Sequence, residues 1–318
     1  MTRPSRTIVA LVLATALAGC AGRPRLIADA SAPGASEVRW ACHDSLLVVA
    51  LRGWGVALVE SKSGRERGAW RLPDIPPRAA QGLAVSAAGE TLAVATADSV
   101  RVFATRGLIP LLARQGNAAT LALSDDGSEL LWTDGTLGQL LEVRSGDERW
   151  HGMLEAGPGA LQWAGGLGRF IAPLGRQVMP AGEDDPVGFS LGPFEGALPW
   201  KLALSSAGGT LAVAESTNCV SCWDLRTREM RRRLVLGGAA FEHLALSRDA
   251  LLLATSQGGR ARVLWARSGQ TVAAWVPHAG AEIEDLAFAS DGSRLATVGA
   301  DGTVRTWTMP AAPGQRPR

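Results

Sequence analysis

The sequence has little cysteine, lysine and histidine, and it has no tyrosine. Its 318 residues include 4 Cys and 4 His, and the only two lysines are Lys62 and Lys201. So few cysteines in a chain of this length exclude a disulfide-scaffold protein, which depends on a high density of bridges. The scarcity of histidine and cysteine also leaves little material for a metal centre.

An excess of charge of one sign is missing as well. The chain carries 32 basic and 30 acidic side chains, a formal net charge of +2. Disordered chains combine low hydrophobicity with a large net charge, whereas 47% of this sequence is hydrophobic. A nearly neutral chain also argues against a nucleic-acid-binding surface. The sequence therefore predicts a folded protein with a large core.

No apolar run is long enough to span a bilayer, although one lies near the N-terminus. Residues Ile8 to Ala18 form an apolar run of 11 residues behind Arg3 and Arg6, whereas a spanning helix needs about 20. Small residues follow in the sequence Leu17-Ala18-Gly19-Cys20. This order resembles the signal peptide and lipobox of bacterial lipoproteins. The alternative is an ordinary signal peptide with a chance cysteine.

The lipobox resemblance implies an address in the cell. Residues 1–19 would be removed, Cys20 would carry the lipid, and residues 20–24 would form a short tether. Ala21 after the cysteine implies no retention on the inner membrane, so we expect the periplasmic face of the outer membrane in a two-membrane bacterium. Processing would also remove Arg3 and Arg6, which leaves a formal net charge of zero.

The rest of the chain is a repeat. Leu202, Leu244 and Leu286 are spaced 42 residues apart, and so are Trp223, Trp265 and Trp307. Each unit has two apolar runs of strand length, a turn, and a third run that ends near the tryptophan. Alternation of apolar and polar residues in these runs indicates strands and not helices.

The same pattern recurs upstream with more variable spacing. Its anchor residues are Val38, Leu83, Leu121 and Leu161, which brings the number of units to seven. Four strands in a unit of about 40–45 residues are typical of a β-propeller blade. We therefore predict an all-β, seven-bladed propeller over residues 25–310, with four antiparallel strands per blade, and a disordered tail over residues 311–318.

The last three units resemble the WD40-repeat family of propellers. Trp223-Asp224 matches the signature dipeptide, and the final unit matches a complete WD40 blade. Its matching residues are His278, Thr297, Asp301 and Trp307, which the resemblance implies form a hydrogen-bonded structural network within the blade. The first four units keep the spacing but few of these residues.

The two ends of the propeller also follow a pattern. The chain passes Trp307, on the third strand of the seventh blade, and then has no further apolar run. Residues 25–29, just before the first unit, form an unassigned apolar segment. As in WD40 rings, we predict that this N-terminal strand completes the last blade and removes its exposed edge.

Three residues are candidates for contact with a partner. Trp54 lies between glycines in the turn Arg52-Gly53-Trp54-Gly55, and an aromatic residue beside an arginine is typical of interface hot spots. Trp200 begins a predicted strand near the central channel. Local packing of these side chains is the alternative.

Other reactive residues do not predict a catalytic, cofactor or metal site. Cys219 and Cys222 lie three apart on a predicted strand, where side chains point to opposite faces and cannot form a disulfide together. His43, His151 and His243 share no spacing, and we identify no acidic partners for them at the separations typical of a helix face or a metal-ligand set. We found no cluster of acids and histidines directed at the channel, so no cofactor is expected.

The sequence thus favours a lipid-anchored, non-enzymatic propeller that recognises an unidentified protein or peptide. Because a closed ring of zero net charge requires no second subunit, a monomer without nucleic-acid affinity is expected. An envelope-assembly role is one alternative. A propeller hydrolase or quinoprotein-type enzyme is another, and three or more carboxylates lining the channel would favour it.

Overall fold

The chain is built almost entirely from β-strands. The computed structural model describes residues 24–52, 55–71, 82–96, 98–156, 160–182, 189–194, 198–205, 209–215, 218–236 and 240–310. The described residues form 27 strands and one short 3₁₀ turn. Because none of these elements is a long apolar helix, the described residues include no helix able to cross a bilayer.

The first strand, β1, spans Arg25–Ser31, and the following strands form blades in chain order. Blade 1 comprises β2 (Ala35–Ala41), β3 (Leu46–Leu51), β4 (Gly55–Glu60) and β5 (Glu66–Arg71). Blade 2 comprises β6 (Gly82–Val85), β7 (Thr91–Ala95), β8 (Ser99–Ala104) and β9 (Ile109–Gln115). Blade 3 comprises β10 (Thr120–Leu123), β11 (Glu129–Thr133), β12 (Leu137–Glu142) and β13 (Glu148–Met153).

The second half of the ring continues in the same way. Blade 4 comprises β14 (Gln162–Ala164), β15 (Arg169–Leu174) and β16 (Gln177–Ala181). Blade 5 comprises β17 (Lys201–Leu204), β18 (Thr210–Glu215), β19 (Cys219–Asp224) and β20 (Met230–Val235). Blade 6 comprises β21 (His243–Leu246), β22 (Leu252–Gln257), β23 (Arg260–Trp265) and β24 (Thr271–Trp275). Blade 7 comprises β25 (Ile283–Phe288), β26 (Arg294–Gly299), β27 (Thr303–Thr308) and β1.

The seven-bladed fold predicted from the repeat spacing is confirmed. In each blade the strands a, b, c and d run antiparallel from the channel outwards, and the seven a strands touch one another in a closed cycle from β2 through β25 and back to β2. Blade 4 differs in detail, since its described residues form a three-stranded sheet. An antiparallel bridge between Val178 and Leu191 takes the place of its d strand.

The N-terminal strand closes the ring, as predicted. Strand β1 pairs antiparallel with β27, with Arg25 opposite Thr308 and Ser31 opposite Thr303. The two ends of the propeller therefore share one sheet. This pairing covers the outer edge of β27, which would otherwise present unpaired backbone groups.

Strand direction defines two faces of the ring. Turns between strands a and b and between strands c and d lie on one face, here called the ab–cd face. Turns between b and c and the connections from one blade to the next lie on the other, here called the bc–da face. As a d strand, β1 begins on the ab–cd face at Arg25 and ends on the bc–da face.

The core lies between the blades. Buried apolar residues form seven clusters, and each cluster combines residues of two neighbouring blades. The cluster between blades 7 and 1 includes Ala30 of β1, Val38 of β2 and Val298 of β26. Some contacts leave no room for a side chain: a Cβ at Gly89, whose φ is +73°, would lie 2.2 Å from the backbone nitrogen of Cys42. No blade can therefore bury its apolar faces alone.

Several predictions fall on residues outside the described ranges. These are the signal peptide over residues 1–19, lipidated Cys20 with most of the tether over residues 20–24, and the tail over residues 311–318. Trp54 also lies outside the described residues.

We predict that placing a charge on the inner side of β1 destabilises the whole ring. Ala30 is buried between blades 7 and 1, whereas its neighbour Ser31 is exposed. Burying an unpaired carboxylate should make Ala30→Asp less stable by about 3 kcal/mol, while Ser31→Asp should change the stability by less than about 0.5 kcal/mol. Thermal unfolding followed by circular dichroism measures both; equal melting temperatures would show that β1 does not hold the ring together.

Candidate functional site

The channel of the ring has one charged wall and one neutral wall. The residue just before the anchor residue of each repeat unit is, in chain order, Glu37, Gly82, Thr120, Ala160, Lys201, His243 and Asp285, and all of these except Ala160 line the channel cavity. Its four ionisable members belong to blades 5, 6, 7 and 1, which are neighbours around the ring. The small neutral members belong to blades 2, 3 and 4, so they leave space opposite the charges.

Arg39 joins the two acids of the charged wall. Its guanidinium donates hydrogen bonds to Asp285 Oδ2 at 2.6 Å and to Glu37 Oε2 at 3.3 Å. The same guanidinium also donates to the carbonyl oxygen of Val38 at 2.7 Å. The arginine is therefore held by three acceptors within the ring.

The two acids also link neighbouring blades through the backbone. Asp285 Oδ2 of blade 7 accepts the amide hydrogen of Val38 in blade 1, at an N···O distance of 3.1 Å. Glu37 Oε2 of blade 1 accepts the amide hydrogen of Leu83 in blade 2 at the same distance. Because both acids occupy one repeat position, both bonds join an acid to the anchor residue of the following blade.

Lys201 and His243 complete the charged wall. The ammonium of Lys201 donates to His243 Nδ1 at 3.3 Å, and His243 Nδ1 lies 3.8 Å from Asp285 Oδ1. The imidazole also makes a hydrogen bond with the backbone of Ile283. The lysine thus borders a neutral imidazole more closely than it borders either acid.

Burial controls the titration of these groups. It lowers the pKa of Lys201, and together with the nearby Lys201 ammonium it lowers the pKa of His243 to about 4. Burial also raises the pKa of Glu37, against the opposing effect of Arg39. For Asp285 burial acts in the same direction, but Arg39, Lys201 and His243 outweigh it, so the pKa of Asp285 is lowered. At neutral pH the histidine is therefore uncharged.

A cavity of about 740 Å³ fills the channel beside this wall. It extends from Arg52 and Glu284 on the bc–da face to Ala87 and Asp125 on the ab–cd face. Apart from Asp125 at the ab–cd end, the side of the cavity formed by blades 2, 3 and 4 consists of uncharged residues, among them Gly82, Ala84, Thr120, Ala122, Leu123, Gln162 and Trp163. The volume suits a small ligand or a few residues of a peptide.

The expectation that no acids and histidines cluster at the channel was wrong. Four carboxylates line the cavity, those of Glu37, Asp125, Glu284 and Asp285, and His243 lies among them. The carboxylates of Glu37, Glu284 and Asp285 are, however, paired with arginines. Within the described part of the chain, no group of three or more His, Cys, Asp or Glu side chains is placed to hold a metal ion.

The sequence contained a signal for this cluster. Glu37, Lys201, His243 and Asp285 each directly precede an anchor residue of the repeat. Reading the repeats as aligned rows would have shown one column with four ionisable residues. Spacing along the chain hides it, because these residues are up to 248 positions apart.

Two of the three candidate contact residues are described, and both lie on the bc–da face. Arg52 is largely exposed and pairs with Glu284 of blade 7 at 2.5 Å. The indole of Trp200 donates to the carbonyl oxygen of Glu215 at 3.2 Å and packs on Phe241, with the ring centroids 5.5 Å apart. The Trp200 side chain still leaves 36% of its surface exposed. Local packing and exposure to a partner therefore coexist at this residue.

The four matching residues of the last WD40-like unit lie in one hydrogen-bonded network. Thr297 Oγ1 is 2.9 Å from His278 Nε2 and accepts the indole hydrogen of Trp307 at 3.0 Å. His278 Nδ1 lies 3.1 Å from Asp301 Oδ1 in the b–c turn. His278 and Thr297 are completely buried. This arrangement leaves no exposed hydroxyl for nucleophilic attack.

The cysteines of the described residues are buried and unpaired. They are Cys42, Cys219 and Cys222. Burial raises the pKa of the Cys222 thiol to about 11, so the reactive thiolate is scarce at neutral pH. For Cys222, which lies on β19, this agrees with the expectation of an unreactive cysteine on a strand.

Comparison with known proteins finds a family match in the last repeat unit. The family model "WD domain, G-beta repeat" matches residues 269–308, which run from β24 of blade 6 to β27 of blade 7. A protein of Dictyostelium discoideum described as "WD repeat-containing protein 91 homolog" is 29% identical over 114 residues. The match covers 34% of this chain and only 15% of the length of that relative.

We predict that the buried threonine of the network contributes to stability. Thr297→Val removes the acceptor of Trp307 and the partner of His278, which leaves two buried polar groups unpaired. The loss should be about 2–3 kcal/mol, whereas Thr227→Val in an exposed turn should cost less than about 0.5 kcal/mol. Chemical denaturation measures the difference; similar midpoints for both variants would contradict a structural role of the network.

We also predict a loss of stability in acid that depends on His243. Because its pKa is about 4 in the folded chain and 6.5 in the unfolded chain, only the unfolded chain binds the proton between these values. Stability should therefore fall as the pH drops from 6.5 to 4, by at most about 3 kcal/mol from this residue. Unfolding of wild type and His243→Gln across this range tests the prediction, which requires a shallower pH dependence in the variant.

Proposed function

Since this chain is a WD40-repeat β-propeller, we propose that it is a non-enzymatic recognition platform, held at the cell envelope by a lipid on Cys20. On this proposal the partner is a protein or peptide that binds the bc–da face around the mouth of the channel. A rigid ring that presents many turns on one face suits this task, although the fold alone does not determine it.

One observation carries the proposal: exposed apolar side chains concentrate on the bc–da face. Large apolar residues rarely cluster on the surface of a monomer without an interaction to explain them. Seven of the twelve exposed large apolar residues in the described part of the chain lie at strand ends or connections of this face, namely Leu137, Met153, Leu174, Leu198, Trp200, Val235 and Val276.

The position of β1 supports the orientation. Arg25 begins β1 on the ab–cd face, and only residues 20–24 separate it from a lipid on Cys20. An extended segment of five residues, the length of the tether, reaches only about 17 Å. The bc–da face is farther away than this, because a six-residue strand of a blade spans about 20 Å. A lipid on Cys20 would therefore keep the ab–cd face near the membrane and leave the apolar bc–da face available to partners.

The four carboxylates that line the channel meet the criterion given above for the enzymatic alternatives. Against them, Asp285 Oδ2 and Glu37 Oε2 are bound to Arg39 and to backbone amides, and no group of described residues is placed to hold a metal ion. A role in envelope assembly would use the same apolar face, and the identity of the partner separates it from recognition of a soluble ligand.

The test is crosslinking with mass spectrometry on intact cells that produce the full chain. Wild type should be recovered with the membrane and crosslink to a specific protein, whereas Trp200→Ala should reduce that crosslink several-fold by removing an exposed aromatic contact. Ile109→Ala is the matched control, because Ile109 is exposed on the outer strand of blade 2. Equal loss in both variants, or none in either, would contradict recognition through the bc–da face.

The same cells test the lipid. Cys20→Ala should leave the protein in the soluble fraction, since one acylated residue supplies the proposed attachment. Unchanged recovery of Cys20→Ala with the membrane would exclude Cys20 as the anchor. The recognition surface is tested independently, by the crosslinks of wild type and Trp200→Ala.

A further inference from the structure

Lys201 is the least satisfied member of the charged wall. Its ammonium has three hydrogens to donate, but in the described part of the chain its only hydrogen-bond partner is His243 Nδ1, at 3.3 Å. By contrast, Arg39 has three acceptors, and Asp285 and Glu37 each accept both an arginine and a backbone amide. Lys201 lines the cavity, so a further acceptor can reach the ammonium from there.

The cavity beside Lys201 has the shape and polarity for such an acceptor. Blades 2 and 3 carry Gly82, Ala84, Thr120 and Ala122 on its neutral side. Because these side chains are small, they leave space in the cavity that larger side chains at the same positions would fill. A ligand in this space would meet the ammonium on one side and mainly apolar surface on the other.

We propose that the channel binds a carboxylate attached to a short apolar group. The carboxylate accepts hydrogen bonds from Lys201, and the apolar part of the ligand lies against Ala84 and Ala122. The proposal rests on the recognition function above and names the chemistry that the channel recognises. A free small acid and the C-terminus of a partner's peptide share this chemistry.

The chemistry follows from the charges already present. Glu37 and Asp285 together carry two negative charges, which Arg39 and Lys201 balance, and Asp285 Oδ2 and Glu37 Oε2 already accept hydrogen bonds from Arg39 and from backbone amides. A carboxylate instead supplies the acceptors that a buried ammonium needs, and such a charge-assisted bond is stronger than one between neutral groups. A fully apolar ligand would leave the ammonium desolvated and unpaired.

The scarcity of lysine makes a direct test possible. Lys62 is exposed in the turn between β4 and β5, and Lys201 lies in the channel, so acetylation of the two amines can be followed separately by mass spectrometry. The probe is hexanoate added to the full chain carrying Cys20→Ala. Hexanoate should slow acetylation of Lys201 at least five-fold and leave Lys62 unchanged, whereas hexanol should protect neither amine.

Two variants test separately the charge of Lys201 and the space in the cavity beside it. Lys201→Met should abolish the heat of hexanoate binding in a calorimetric titration, and Lys62→Met, the matched control, should retain it. Ala84→Leu should block the cavity and remove the protection of Lys201 without changing the charged wall. The melting temperature of each variant is measured first, and a destabilised Ala84→Leu is replaced by Ala122→Leu.

The source of the carboxylate is tested with a peptide pair. Acetyl-Ala-Leu with a free C-terminus should protect Lys201 if the ligand is the end of a partner's chain, and its amide should not. Protection by hexanoate alone would assign the site to a small free acid. Failure of hexanoate and of the peptide acid to protect Lys201, or equal protection by hexanol, would overturn the proposal.

This outcome is distinguishable from failure of the proposed function. If Lys201→Met keeps the cellular crosslink that Trp200→Ala loses, the bc–da face is confirmed as the recognition surface. The carboxylate site is then not part of that surface. If the carboxylate site is confirmed while no crosslink depends on Trp200, the channel binds its ligand without the apolar face.

Discussion

The pairing of β1 with β27 is the contact on which the rest of the ring depends. Every apolar cluster lies between two blades, so each blade is stable only when it has a neighbour on both sides. Strand β1 joins the start of the chain to its last blade and supplies Ala30 to the cluster between blades 7 and 1. Without it, one edge of β27 and one interblade surface would face water.

Closure also explains why the repeat in the sequence is offset from the blade in the structure. The segment that matches the family model begins in β24, the outer strand of blade 6, and ends in β27. Each sequence unit therefore contributes to two blades, which ties neighbours together covalently. In blade 7 the third strand, β27, and the outer strand, β1, are not consecutive in the chain, so hydrogen bonds between them take the place of a covalent turn.

Polar contacts near the channel reinforce the same junction. Asp285 holds the backbone of Val38 across blades 7 and 1, and Glu37 holds the backbone of Leu83 across blades 1 and 2. Buried carboxylates are costly unless they are fully hydrogen-bonded, and Arg39 lowers that cost by pairing with both. Lys201 shares their surroundings without an equivalent partner, which is why the channel has a recognisable chemical preference and is more than a gap in the packing.

The sequence by itself determined the periodic features of this protein. Regular spacing of the anchors Leu202, Leu244 and Leu286 specified the blades, because strands and turns are local and recur with each unit. The leftover segment at residues 25–29 specified how the ring closes, since an unpaired strand edge requires a partner. Tertiary structure alone decided the channel: Glu37 and Asp285 lie 248 residues apart in sequence and meet on Arg39 only because the ring is closed. Their hydrogen bonds depend on side-chain positions to within an ångström, which the spacing of a repeat does not specify.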